Sequence, residues 1–144
     1  MATFADAERI ATSLPDVTVG ARYGNRTWFV GKHGFAWERP FSKADLRRFG
    51  DAPIPAGPIL AVRVADLRAK DTLLAKGPRG VFTIAHFDGH PAVLIQLDVV
   101  AARTLKDLVT DAWLACAPAS LSPRRPAGAR TPRGGARASA RRRP

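Results

Sequence analysis

Two imidazoles and a carboxylate fall within five residues at His86-Phe87-Asp88-Gly89-His90, the most suggestive chemical grouping in the 144-residue sequence. Histidine and aspartate are metal ligands, so the trio could hold a metal if a fourth ligand or a water and a second shell completed the site. The competing reading is a hairpin turn bent at Asp88-Gly89, with His86 on the strand face of Phe82 and Ile84. That reading is preferred, and no metal or cofactor is assigned.

His33 beside Lys32 could meet a phosphate at a hairpin apex, although such a residue is more often simply solvated. Trp28, Phe29, Phe35 and Trp37 could stack on nucleobases. Their alternation with Arg26 and Lys32 instead suggests a half-buried hairpin whose tryptophans fill the core. Cys116 falls on the apolar side of a helix with no basic cluster in its turn, as an inert buried thiol would. Glu8 and Glu38 are the only glutamates, and no paired-carboxylate spacing is present. Between Gly24 and Gly31-Lys32 lie six residues where a phosphate loop needs four, and no Ser or Thr follows the lysine. The reading is therefore non-enzymatic.

Composition sets the frame. Hydrophobic residues make up 46% and charged residues 24% of the chain, as in a globular domain. No apolar run approaches the ~20 residues of a membrane helix. The acidic start, Met1 to Asp6, is unlike a secretory signal. A single cysteine excludes an intramolecular disulfide and fits a reducing, cytoplasmic compartment. A monomer with no membrane partner is expected. The formal charge is +11, unevenly placed. Residues 1–116 carry 15 Lys and Arg against all 12 Asp and Glu, whereas residues 117–144 carry eight arginines and no acid.

The elements that must position these residues follow from periodicity and caps. Thr3 caps a helix with Phe4, Ala7, Ile10, Ala11 and Leu14 on one face, and Pro15 stops it. Val17 to Val19 is a short strand. Residues 26–39 form a hairpin with Trp28 and Val30 on one arm, Phe35 and Trp37 on the other, and Gly31 and Gly34 bracketing the turn. Ser42 and Asp45 begin a short helix with Leu46 and Phe49 inward. Residues 51–58 are a loop. Ile59 to Val64 is a strand. Asp66 caps a helix with Leu67, Leu73 and Leu74 apolar, ended by Gly77-Pro78. Val81 to Phe87 and Pro91 to Leu97 are the arms of a second hairpin. Residues 100–116 make the strongest helix, with Leu105, Leu108, Val109, Ala112, Trp113 and Cys116 on one face. The expected architecture is α+β, an antiparallel sheet of hairpins packed against helices over residues 1–117. A disordered Arg/Pro/Gly/Ala-rich tail is expected over 118–144.

The order Leu14-Pro15, Tyr23-Gly24, Gly31-Lys32 with Phe35-Ala36-Trp37, Val62-Arg63-Val64, Lys70, His86-Phe87-Asp88-Gly89 with Pro91-Ala92-Val93-Leu94, and Ala112-Trp113-Leu114 resembles the MmcQ/YjbR-like family across residues 4–118. The resemblance implies a double-wing α+β domain, similar in outline to the frataxin (CyaY-like) fold, and a DNA-binding role. It implies no catalytic residues. Tyr23, Lys32, His86 and Asp88 are the matched positions expected at the surface, and a shared site would lie there. The arginine tail departs from the family pattern.

The function expected is that of a non-enzymatic DNA-binding or regulatory protein. Arg22, Arg26, Lys32 and Arg39 in the body, with Arg124, Arg125, Arg141, Arg142 and Arg143 in the tail, would meet phosphates. The alternative is a small-ligand or metal-binding domain using His86, Asp88 and His90. For the tail, two plainer readings compete: a solubilising extension, or the end of a GC-rich gene read in a shifted frame. Resequencing the gene end separates the latter.

Overall fold

Side-chain caps set where the first three helices start. In the computed structural model, which describes residues 2–118, Thr3 caps α1 (Phe4–Thr12). Its hydroxyl accepts from the Asp6 N–H, and the Asp6 carboxylate accepts from the Thr3 N–H at 2.9 Å. Ser42 and Asp45 form the same reciprocal box at α2 (Lys43–Phe49). Asp66 caps α3 (Leu67–Lys76), and Gly77, at φ 61°, closes it in the left-handed conformation that glycine adopts most cheaply. The last helix, α4 (Ala102–Cys116), buries Leu105, Leu108, Val109, Ala112 and Trp113. The tail arginines Arg124, Arg125, Arg141, Arg142 and Arg143 lie outside the described residues.

Six strands, β1 (Val17–Arg22), β2 (Asn25–Val30), β3 (His33–Glu38), β4 (Ile59–Arg63), β5 (Val81–Phe82) and β6 (Ala92–Gln96), form one sheet in the order β1-β2-β3-β4-β6-β5. Every neighbouring pair is antiparallel. The fold is therefore α+β, as the pattern of hairpins and helices indicates. The sheet's first face carries Trp28, Val30, Phe35, Ala36, Leu60, Val62, Val93 and Ile95 against α1 and α4, and this is the main core. Leu73 and Leu74 of α3 pack against the same cluster. Trp113 Nε1 donates to Pro15 O at 3.0 Å, tying α4 to the chain entering β1. A smaller cluster on the second face gathers Ile59, Ala61, Phe87, Ala92 and Leu94 with Trp37, Phe41, Phe82 and Ile84.

Four details differ from the sequence pattern. Trp28 pairs with Ala36 but Phe29 with Gly34, so Phe35 is an extra residue in β3. Such a bulge shifts the alternation of a strand by one. Phe35 and Ala36 both enter the main core, and Trp37 is turned onto the second face rather than sharing a face with Phe35. Gly34 thus belongs to the strand, and the turn is Gly31-Lys32 alone. The arm expected over Val81 to Phe87 pairs only at Val81 and Phe82. The chain then leaves the sheet for a 3₁₀ turn at Ala85–Phe87, so His86 is exposed on that turn rather than sharing a strand face with Phe82 and Ile84. Leu46, expected inward, is exposed, as is Leu67 among the apolar residues of α3, whose Leu73 and Leu74 meet the core instead.

Candidate functional site: a cationic, aromatic cavity on the second face

Where β1, β2 and β3 extend past the smaller cluster, the second face is left concave. A cavity of about 780 Å³ lies there, within the ~300–1,000 Å³ of small-molecule sites. Its walls come from four places: the β1–β2 turn, the middle of β2 and β3, the segment Arg39–Ser42, and the 85–92 loop beside Arg63.

The cations reach it by strand alternation. Ile59 and Ala61 belong to the second-face cluster while Leu60 and Val62 belong to the main core, so Arg63 falls on the second face. Its Nε is shut off from solvent and has no hydrogen-bond partner among the described residues. Arg22 runs back over the same face, with its guanidinium 5.1 Å from the centre of the Phe29 ring. Neither arginine has an ion-pair partner among the described residues. Arg39 is different. It lies 5.6 Å over Phe87 and is held by the buried Asp45 carboxylate at 2.9 Å, so its charge is compensated locally. Burial alone would raise the Asp45 pKa, but the Ser42 N–H and the Arg39 guanidinium outweigh it and hold the carboxyl below its usual 3.8. No carboxylate lines the cavity among the described residues.

The aromatic wall is Trp37, backed by Phe87 at 6.4 Å with an interplanar angle of 24°. Tyr23, 95% exposed, stands at the rim. It occupies the first position of the two-residue β1–β2 turn at φ 55°, followed by Gly24 at φ 79°. A turn with both residues left-handed favours Asn-Gly, and a tyrosine there costs ~1 kcal/mol or more.

The histidine loop is fixed from beneath by Lys70. This side chain is 5% exposed, and its ammonium donates to Phe87 O at 2.6 Å and His90 O at 2.9 Å. Burial pushes the Lys70 ammonium below its usual 10.5, and the Asp88 and Asp71 carboxylates push back. The structure divides the histidine–aspartate trio. His86 and His90 line the cavity, whereas Asp88 is not among the lining residues and acts on Lys70. No group of three His, Cys, Asp or Glu side chains suited to a metal occurs among the described residues.

The proposed phosphate-contacting residues of the body do not share one surface. Arg22 and Arg39 line the cavity. Arg26 lies 3.6 Å from both Glu8 and Glu38, with Glu8 on α1 and so toward the helical face. Lys32 is exposed at the β2–β3 turn. His33, also exposed, begins β3 rather than sitting at the apex. Tyr23, Lys32, His86 and Asp88 are all exposed. Trp28 is fully buried, as expected of a core residue, but Trp37 is a wall of the site. Cys116 is half-buried against the core, and burial pushes its thiol above 9.0. Arg63 was legible in principle as the one cation on the β4 face of Ile59 and Ala61. No described helix is long and apolar enough to cross a membrane.

Comparison with known proteins gives relatives without a known role. The uncharacterised proteins Rv2570 of Mycobacterium tuberculosis and Mb2600 of Mycobacterium bovis are each 44% identical over 124 residues, covering 84% of this chain and 93% of theirs. No family model matches the chain, and no solved structure matches it. The likeness to the MmcQ/YjbR-like family therefore rests on the residues quoted for it.

Proposed function

We propose, for a chain that belongs to the family of these mycobacterial proteins, that the domain is a binding module whose second-face cavity holds a small anionic ligand. The observation that carries this reading is the charge of the lining: two uncompensated guanidiniums, from Arg22 and Arg63, and no carboxylate. A guanidinium beside an anion gains charge-assisted hydrogen bonds. These side chains hold and orient a ligand, and the reading is of binding rather than catalysis.

The same cations could instead meet a DNA backbone, the role expected for an MmcQ/YjbR-like protein. That needs Arg22, Arg26, Lys32 and Arg39 to act together on one broad surface. Their separation over two faces and a turn tip, and the ion pairs of Arg26 and Arg39, favour the concave site.

Thermal unfolding of the full chain with pyrophosphate tests the reading, since a ligand of the folded state raises Tm by mass action. Arginines beyond the described residues also attract anions, so wild type is compared with Arg63→Met at equal ionic strength. The pyrophosphate shift should fall by at least about half in Arg63→Met. An equal shift in both proteins would place the anion elsewhere and refute the cavity as its site.

A further inference from the structure

We propose that the ligand is a nucleotide, with its planar base against the aromatic wall and its phosphate at the arginines. The proposal rests on the anion-binding reading and adds the aromatic half of the ligand.

Of the aromatic side chains that line the cavity, Trp37 packs on the edge of the second-face cluster yet stays only half-buried, and Tyr23 packs on neither cluster. Trp37 is turned outward by the Phe35 bulge, and Phe87 behind it fixes the plane of the indole. Tyr23 is 95% exposed in a left-handed conformation that an asparagine would adopt at lower cost. It packs no core, and its backbone conformation is strained. A strained, exposed aromatic at the rim of a cavity is explained by contact with a flat partner. Stacking on aromatic rings is how proteins hold unpaired bases whatever their identity. Arg22 and Arg63 supply the charge for a phosphate, and the Asn25 amide, on the same wall, has the donor and acceptor that base edges or ribose hydroxyls use. A carboxylate or a sugar phosphate would use the arginines and leave both rings idle.

Free mononucleotides and unpaired nucleotides of a single strand share this chemistry. Isothermal titration of the full chain separates them, using adenosine monophosphate, ribose 5-phosphate, inorganic phosphate and a short oligodeoxythymidylate, each with wild type and Tyr23→Asn. Adenosine monophosphate should bind about tenfold or more tighter than ribose 5-phosphate or phosphate. Tyr23→Asn should weaken adenosine monophosphate about fivefold or more, leave phosphate unchanged and raise Tm. That opposition excludes a merely structural role for the ring, because a damaged fold would lose both. If the oligonucleotide rather than the mononucleotide binds tightly and is weakened by Tyr23→Asn, the nucleotide is that of a strand. Equal affinity for adenosine monophosphate and phosphate, or no loss in Tyr23→Asn for either nucleotide probe, overturns the proposal but leaves the anion site standing. Failure of every probe, pyrophosphate included, removes both.

Discussion

Replacing Lys70 by methionine tests whether one buried ammonium sets the shape of the cavity's histidine wall. Methionine keeps most of the apolar stem and removes the donors to Phe87 O and His90 O. A buried carbonyl left without a partner costs ~1–3 kcal/mol. The His90 bond is only part-buried, so water recovers some of its share. Removal of a buried charge gives back a further part. The net destabilisation expected is therefore about 2 kcal/mol. With a urea slope of about 1–1.5 kcal/mol/M, the unfolding midpoint should fall by about 1.5 M. Native-state hydrogen exchange should quicken first at the Asp88 and His90 amides, which bond to Ala85 O and Phe87 O within the same loop. The pH dependence carries a sign. Because the folded pKa lies below 10.5, the unfolded chain holds the Lys70 proton between the two values. Wild-type stability therefore gains from this group as pH climbs from the folded value towards 10.5, and Lys70→Met lacks that gain. An unchanged or raised midpoint in Lys70→Met would show that burying the ammonium costs more than its two bonds return, and the clamp argument would be wrong.

Two further outcomes follow from the packing. In Gly34→Ala the new Cβ would sit 2.9 Å from Thr27 Cγ2 and 3.6 Å from Arg22 Nη1 and a Phe29 ring carbon, so about 1–2 kcal/mol should be lost in a urea melt. Ligand affinity should drop as Arg22 is displaced, and an unperturbed melt would mean that the strands yield there at no cost. Asp45→Asn should cost about 1–2 kcal/mol at neutral pH through its bonds to Ser42 and Arg39. Since the folded Asp45 pKa is lowered, that contribution is present above 3.8 and lost as pH falls through the folded value. The gap between variant and wild type should close in acid, and a gap constant to low pH would contradict the assignment.

What could be read from residues alone was what neighbours in sequence decide. The Thr3 and Ser42 capping boxes, the Asp66 cap and the Gly77 stop are all local, and each appears where its residues place it. The apolar face of α4 is equally local. The failures are long-range. Strict alternation puts Phe35 and Trp37 on one face, and only pairing with β2 creates the bulge that parts them. Val81 to Phe87 has strand composition throughout, yet Lys70, 17 residues before Phe87, captures the loop's carbonyls and draws it into a turn. The site inherits both errors. Its tryptophan wall depends on the bulge and its histidine wall on the lysine, so neither shows as a motif. Arg63 was visible as a strand residue but not as part of a site, because the concavity that gives it meaning forms from four separate segments.

The three tryptophans are unequal in their access to solvent. Trp28 and Trp113 are fully enclosed, whereas Trp37 is only half-buried and faces the cavity. Iodide added to the native protein should therefore quench a single class of indole emission, that of Trp37. The enclosed pair would supply a constant background within the same molecule. A molecule seated against Trp37 would shield it from the quencher and alter its emission without touching the other two. The bulge at Phe35 thus leaves the protein with a built-in optical reporter of its own occupancy, readable in the unlabelled chain.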